Sequence, residues 1–411
     1  MTNSLYETFS LPNGLRIIYG NHPSDIAYCG FAVNAGTRDE LSGEYGVAHF
    51  IEHMLFKGTT KRKAHHIASR MENVGGDLNA YTTKEETFIY ATFLNEYTER
   101  AMELLGDIVF NSTFPQSQID KEREVILDEI NSYEDAPSEL IYDDFEKLLF
   151  TNHELGHYIL GDSKSLEKLD TTTLKNFFER QYIPSKMIFF YFGKTPFDKI
   201  LKFVHRYFDI KQEIKLFSKN RQTPLLSPVA KRIKMDKQTS QAHCMIGNAM
   251  FGFNHPDKYN AVLLNHLLGG ANMSSRLNLS LREKSGLVYS VESAINFYSD
   301  CGVFNIYFAC DAEDLMKCER LVIKEIDRLK TEMLTASQLN VVKRKLKGEL
   351  AISCENKENT ILGVAKSFLH HENLISYEEI LKQIDCITPE EIRSTAKNIW
   401  MENAFLTLIY H

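Results

Sequence analysis

The chain has 411 residues, too long for one ordinary core, and its 43% hydrophobic and 25% charged residues are those of globular material that builds two domains or one unusually large one. A formal net charge of -8 gives no support to nucleic-acid binding, and no apolar run is long enough to span a bilayer, so neither nucleic acid nor membrane is expected as a partner. The seven cysteines (Cys29, Cys244, Cys301, Cys310, Cys318, Cys354 and Cys386) are scattered, without a Cys-x-x-Cys, and the N-terminus shows no secretory signal. They read as reduced thiols of a cytoplasmic protein, with a mature periplasmic form as the alternative, since a removed signal leaves no trace.

In chain order, Pro12-Asn13-Gly14 turns a hairpin over Phe9 to Tyr19, and Ile26 to Val33 is a second strand. A polar loop, Ala35 to Glu40, leads to a helix through His49, and a further helix over Ala64 to Asn73 is stopped by Gly75-Gly76. Asp77 to Thr82 and Thr87 to Leu94 are strands, separated by what reads as a charged bend, Lys84-Glu85-Glu86. Helices follow over Glu96 to Val109, Gln118 to Tyr133, Ser138 to Leu149 and Thr171 to Gln181, then a buried strand over Met187 to Phe192 and a closing segment, Phe197 to Tyr207. A charged span with Pro224 and Pro228 is the best linker.

The second half opens with a strand over Ala242 to Met250, helices over Lys258 to Leu268 and Ser274 to Glu283, and strands over Val288 to Phe297 and Val303 to Phe308. Helices over Glu313 to Lys330, Ala336 to Ser353, Ile361 to Leu369, Tyr377 to Gln383 and Pro389 to Asn398 precede a last strand, Ala404 to Ile409. The helix opening at Pro115-Gln116-Ser117-Gln118 has a counterpart opening at Leu334-Thr335-Ala336-Ser337-Gln338, each after two strands and a long helix. The expected fold class is therefore α+β: two homologous domains from an internal duplication, each a mostly antiparallel sheet packed with helices, at 1–212 and 239–411 with a linker at 213–238. The copy lacks His49, Glu52 and His53, and Gly269-Gly270-Ala271 falls roughly where they would be.

The chemistry concentrates in Gly46-Val47-Ala48-His49-Phe50-Ile51-Glu52-His53-Met54-Leu55-Phe56. At helical spacing His49 and His53 share one face with Glu52 beside them, so two imidazoles and a carboxylate converge as in a metal site with its general base. A buried polar patch on an amphipathic helix is the purely structural reading. Zinc in a catalytic site needs a third protein ligand, and Glu122 and Glu129, seven residues apart, share a face of a later helix. One can ligate while the other orients a histidine, and spacing leaves open which does which. His153-Glu154-Leu155-Gly156-His157 also matches a zinc pattern, but Gly156 interrupts the helix such a motif requires. His65 and His66 are adjacent, cannot face one point, and read as surface residues.

These residues resemble a known family. His49-x-x-Glu52-His53, Phe56-Lys57-Gly58-Thr59, Gly76-Asp77-Leu78-Asn79-Ala80-Tyr81-Thr82, Glu122 to Glu129, and Leu281-Arg282-Glu283-Lys284-Ser285-Gly286-Leu287-Val288-Tyr289-Ser290 occur in the order found in the inverted zinc metallopeptidases of the pitrilysin, insulin-degrading enzyme and mitochondrial processing peptidase family. The resemblance is to a short, two-domain, bacterial-type member. It implies a zinc metalloendopeptidase with His49, His53 and Glu129 as ligands of one zinc ion per chain, Glu52 as general base and Glu122 as the carboxylate behind a ligand. It further implies that Arg282 and Tyr289 reach the substrate carbonyl and that Asn79 and Ala80 meet the peptide backbone. The substrate would be an extended or unfolded peptide, or a precursor segment, cut in a chamber between domains. Because longer relatives hold four such domains, the expected partner is a second chain, in a homodimer or in a heterodimer with a related subunit. A catalytically silent scaffold subunit is the alternative.

Overall fold

The computed structural model describes residues 6–209, 221–224, 230–371, 374–401 and 405–411. Along the first half, strands β1 (Tyr6–Ser10), β2 (Arg16–Asn21) and β3 (Ile26–Val33) lead to helices α1 (Val47–Leu55) and α2 (Ala64–Glu72), then β4 (Asp77–Thr82) and β5 (Thr87–Leu94). Helices α3 (Thr98–Asn111), α4 (Gln116–Glu134), α5 (Pro137–Leu149), α6 (Ser163–Leu166) and α7 (Thr171–Gln181) precede β6 (Met187–Gly193) and α8 (Phe197–Tyr207). The second half holds β7 (Lys231–Met235), β8 (Ala242–Phe251), α9 (Lys258–Gly269), a π-helical turn (Asn278–Glu283), β9 (Val288–Phe297) and β10 (Cys301–Cys310). Helices α10 (Leu315–Thr331), α11 (Ala336–Ser353), α12 (Lys357–His370), α13 (Tyr377–Cys386) and α14 (Pro389–Ile399) come before β11 (Leu406–Tyr410).

The duplication expected from sequence is plain in the sheets. One has six strands in the order β1-β2-β6-β3-β5-β4 and the other five in the order β7-β11-β8-β10-β9. Setting β1 aside, the two orders match strand for strand, and in each sheet the only parallel pair is the equivalent one, β2 with β6 and β7 with β11. The mostly antiparallel α+β class is the observed one.

The compact units, however, do not follow the halves of the sequence. The first unit takes Met1–Asn131, His157–Asn220 and Asn356–Leu374, and the second takes Ser132–Gly156, Arg221–Glu355 and Ile375–His411. The physical reason is visible in β6. Its alternate residues Met187, Phe189 and Tyr191 enter one core with Phe50, Met54, Leu104 and Ile108 from α1 and α3. Ile188, Phe190 and Phe192 point the other way, and among the described residues α12 is the helix that covers them, with Ile361, Ala365, Phe368 and Leu369. Burial of each large side chain of α12 contributes about 2 kcal/mol. Polar contacts fix the helix in place: Arg16 donates to the Phe368 and Leu369 carbonyls at 3.0 and 2.8 Å, and Tyr90 to Glu358 at 2.8 Å.

In the second unit α5 plays the equivalent part. Ile141 and Phe145 pack on Met245, Val303 and Leu408, while the Tyr410 and Tyr298 hydroxyls donate to Asp144 and Glu146 at 2.7 and 2.6 Å. The expected domains, 1–212 and 239–411, thus place α5 and α12 apart from the sheets they cover, and β7 falls in the expected linker. An amphipathic helix declares that it needs a cover, not which sheet supplies it. Of the expected linker, 213–220 and 225–229 lie outside the described residues, and Lys231–Met235 is strand. Among the described residues no helix is long and apolar enough to cross a membrane.

Candidate metal centre

Helix α1 begins at Gly46, whose φ of +88° and whose hydrogen, 2.8 Å from the Leu160 carbonyl if replaced by Cβ, leave room for glycine alone. Glu40, 6% exposed, accepts the Gly46 and Ala48 N–H groups at 3.1 and 3.0 Å and so satisfies donors that a helix start leaves open. Val47, Phe50, Ile51, Met54 and Leu55 are buried in the core, which turns His49, Glu52 and His53 to the opposite face.

Glu129 on α4 comes to that face. Its Oε2 lies 3.9 Å from His49 Nε2 and 3.7 Å from His53 Nε2. Among the described residues these three are the one group of such side chains near enough to share an ion, all donor atoms falling within 4.8 Å of one another. A tetrahedral zinc with ligands near 2.0–2.2 Å would space its donors about 3.3–3.6 Å apart, so the cluster fits the ion with small adjustments. Burial first, and then the neighbouring His53, pull His49 down to about 3, which keeps the imidazole neutral and its lone pair free for a metal.

Glu122 stands elsewhere: its Oε2 lies 3.2 Å from His53 Nδ1 and its Oε1 2.8 Å from Lys57 Nζ. It is thus arranged to hold the His53 ring rather than to share the point where the Nε2 atoms meet. Glu52 is half-buried and its carboxyl is raised by that burial, against the countering pull of Thr82 and His53. Its Oε2 and His49 Nδ1 are buried without a hydrogen-bond partner.

Asn79 and Ala80 lie on β4, the last strand of its sheet, so one edge of the segment is unpaired within that sheet. Arg282 and Tyr289 belong to the second unit and are brought together with each other: the guanidinium lies 5.6 Å over the Tyr289 ring, which is 85% exposed. The rival motif forms no α-helix beyond a single 3-10 turn, Glu154–Gly156. His153 accepts the Leu155 N–H, and His157 stacks on Tyr45 at 4.0 Å.

Three features escaped sequence reasoning. Glu40 sits in a loop read only as polar. The bend Lys84-Glu85-Glu86 is buried: Glu85 pairs with Arg38 at 2.8 Å, Lys84 donates to the His157 carbonyl, and Glu86 is held charged, at about 2 despite burial, by His370 and Lys366. Finally, Gly269-Gly270-Ala271 marks only the C-terminal end of the helix equivalent to the metal helix. Matching the strand orders makes α9 that counterpart, packed on β9 as α1 is packed on β4. It carries His266, whose Nδ1 lies 3.1 Å from Glu349 on α11, with Val262 one turn earlier and Asn265 just before it.

Two histidines and a carboxylate around one point, with a further carboxyl beside them, define a metal-dependent hydrolase centre carried on a duplicated fold. Residues 16–163 match the family described as insulinase (peptidase family M16), and 168–346 match the M16 inactive domain. The chain is 31% identical over 408 residues to the zinc protease YmxG of Bacillus subtilis, itself uncharacterized, covering 98% of each. An uncharacterized zinc protease of Rickettsia felis is 32% identical over 391 residues, covering 95% of this chain and 94% of that one. A protease from Helicobacter pylori has the same fold, with a TM-score of 0.89 at 20% identity over 98% of this chain and 99% of that one. The chain belongs to peptidase family M16 and is a zinc-dependent metalloendopeptidase.

Proposed function

We propose that His49, His53 and Glu129 hold one zinc ion per chain and that the enzyme cuts extended or unfolded peptides, precursor segments among them. The observation that carries this is the convergence of three donors within 4.8 Å beside the Glu52 carboxyl. A zinc ion held by His49, His53 and Glu129 would supply Lewis-acid polarisation of the scissile carbonyl and would acidify the attacking water in front of the Glu52 carboxyl. Glu52 takes the proton released there and hands it to the leaving amine. A carboxyl raised by burial suits a group that must both accept and release a proton. Asn79 and Ala80 bind the peptide main chain as an added strand, which favours broad specificity because the backbone supplies the affinity. Arg282 and Tyr289 donate to the substrate carbonyl.

A silent scaffold subunit would be marked by damage to His49, Glu52, His53 or Glu129, and all four are intact. The test is metal analysis with a peptide-library digest. Stripping the protein with a chelator is expected to abolish cleavage and one equivalent of zinc to restore it, with unfolded chains cut and folded ones spared. Full activity in metal-free protein would refute the reading.

A second chain, identical or related, is the partner that goes with this function. Light scattering is expected to find a dimer, and a fully active monomer would contradict it. All seven cysteines are free, which suits a reducing, cytoplasmic compartment. Recovery of the protein in the periplasmic fraction of its cells would count against that location.

A further inference from the structure

Glu52 Oε2, Thr82 Oγ1 and the Tyr182 hydroxyl are among the buried polar atoms of the first unit that have no hydrogen-bond partner. Thr82 ends β4, the strand on which α1 packs. Its hydroxyl and backbone N–H both lie near enough to the Glu52 carboxyl to pull its pKa down, while the hydroxyl falls short of hydrogen-bond geometry. Tyr182 caps the C-terminus of α7, which packs on α1 from another side. Its ring is 4% exposed and stacked on Phe178 at 4.5 Å, so the hydroxyl has little freedom to turn away. Burial raises that hydroxyl, Thr87 pulls it down, and the charge of Glu52 adds a smaller push upward. The neighbouring Thr87, paired with Thr82 in the sheet, already donates its own hydroxyl to the Ala35 carbonyl at 3.0 Å. Thr82 and Tyr182 are therefore two buried hydroxyls without a hydrogen-bond partner, on elements packed against the helix whose Glu52 Oε2 lacks one too. Leaving all three unpaired is the costly arrangement.

We infer that Tyr182, with Thr82, is a positioning residue for Glu52: the two hydroxyls hold the Oε2 oxygen from behind and leave Oε1 to exchange the proton. A small side-chain rotation or one bridging water closes the contacts. The chemical reason is geometric. A general base works only within hydrogen-bond reach of the proton it takes, and a carboxylate on a flexible side chain reaches that position reliably only if its second oxygen is fixed. The inference rests on the reading of Glu52 as the base, and nothing in it requires Tyr182 or Thr82 to touch substrate or metal.

Tyr182→Phe keeps the ring stack and removes only the hydroxyl. It is expected to lower kcat about 10- to 100-fold, with KM, zinc content and Tm unchanged; a merely structural tyrosine would move Tm and zinc content instead. In a Glu52→Asp background the same substitution is expected to cost far less, because the held oxygen has already been displaced. Thr82→Val should also lower kcat while Thr82→Ser retains it, and this pair decides the matter if Tyr182→Phe does not fold. A Tyr182→Phe enzyme with wild-type kcat, or one whose loss is undiminished beside Glu52→Asp, overturns the inference. If Glu52→Gln itself cleaves at the wild-type rate, the base reading falls and this inference with it; an inactive Glu52→Gln beside a fully active Tyr182→Phe sinks the positioning role alone.

Discussion

Glu52→Gln is expected to purify with the same zinc content as the wild type and to cleave peptide roughly 10²- to 10⁴-fold more slowly, the range a positioned general base contributes. The two halves of that result come from different atoms. The metal point is defined by His49 Nε2, His53 Nε2 and Glu129 Oε2, and Glu52 is not among them. Glutamine is nearly isosteric with glutamate, so the α1 helix and its histidines stay in register. What is lost is the acceptor: an amide cannot take the proton, and its NH₂ group donates where a lone pair is needed. Metal analysis and kcat measured on one preparation check both halves. Wild-type turnover would dismiss Glu52 as the base, and loss of zinc would make it a ligand.

The parts of this site that sequence could show are those written in local periodicity. The i and i+4 spacing of His49 and His53, and the seven-residue interval between Glu122 and Glu129, are properties of single helices and carry over unchanged into α1 and α4. Strand β4 and the segment Asn79-Ala80 were likewise legible, because turn residues bound them. What the sequence hides is which surfaces meet. Glu122 and Glu129 are equivalent by spacing, and only the placement of α4 separates one at His53 Nδ1 from one facing both Nε2 atoms. Lys84-Glu85-Glu86 looks solvated until Arg38, Lys366 and His370, distant in the chain, are brought to it. The exchange of α5 and α12 is hidden for the same reason. An apolar stripe carries no address.

The proposed ligands are His49, His53 and Glu129, and the duplication allows the assignment to be tested in both directions within one chain. His49→Ala is expected to purify without stoichiometric zinc and without activity, since His53 and Glu129 alone leave too few donors for a catalytic site. Glu122→Gln, which disturbs the partner of His53 Nδ1 and the ion pair with Lys57, should weaken metal affinity by about 10- to 100-fold instead. In the second unit His266 on α9 meets Glu349 on α11 at 3.1 Å through Nδ1, so its ring would have to turn to share an ion, and half-buried Val262 stands four residues before His266, the interval that separates His49 from His53. Val262→His is therefore expected to raise the zinc content from one to two per chain, and from none to one when combined with His49→Ala. The combined variant should bind zinc and still not cleave, because Asn265 stands beside His266 where Glu52 stands beside His53 and an amide cannot serve as base. Zinc content and peptide turnover, measured together, separate binding from chemistry. Undiminished zinc in His49→Ala would overturn the ligand assignment, and an unchanged zinc content in Val262→His would show that the two helices of the second unit do not present their side chains to a common point.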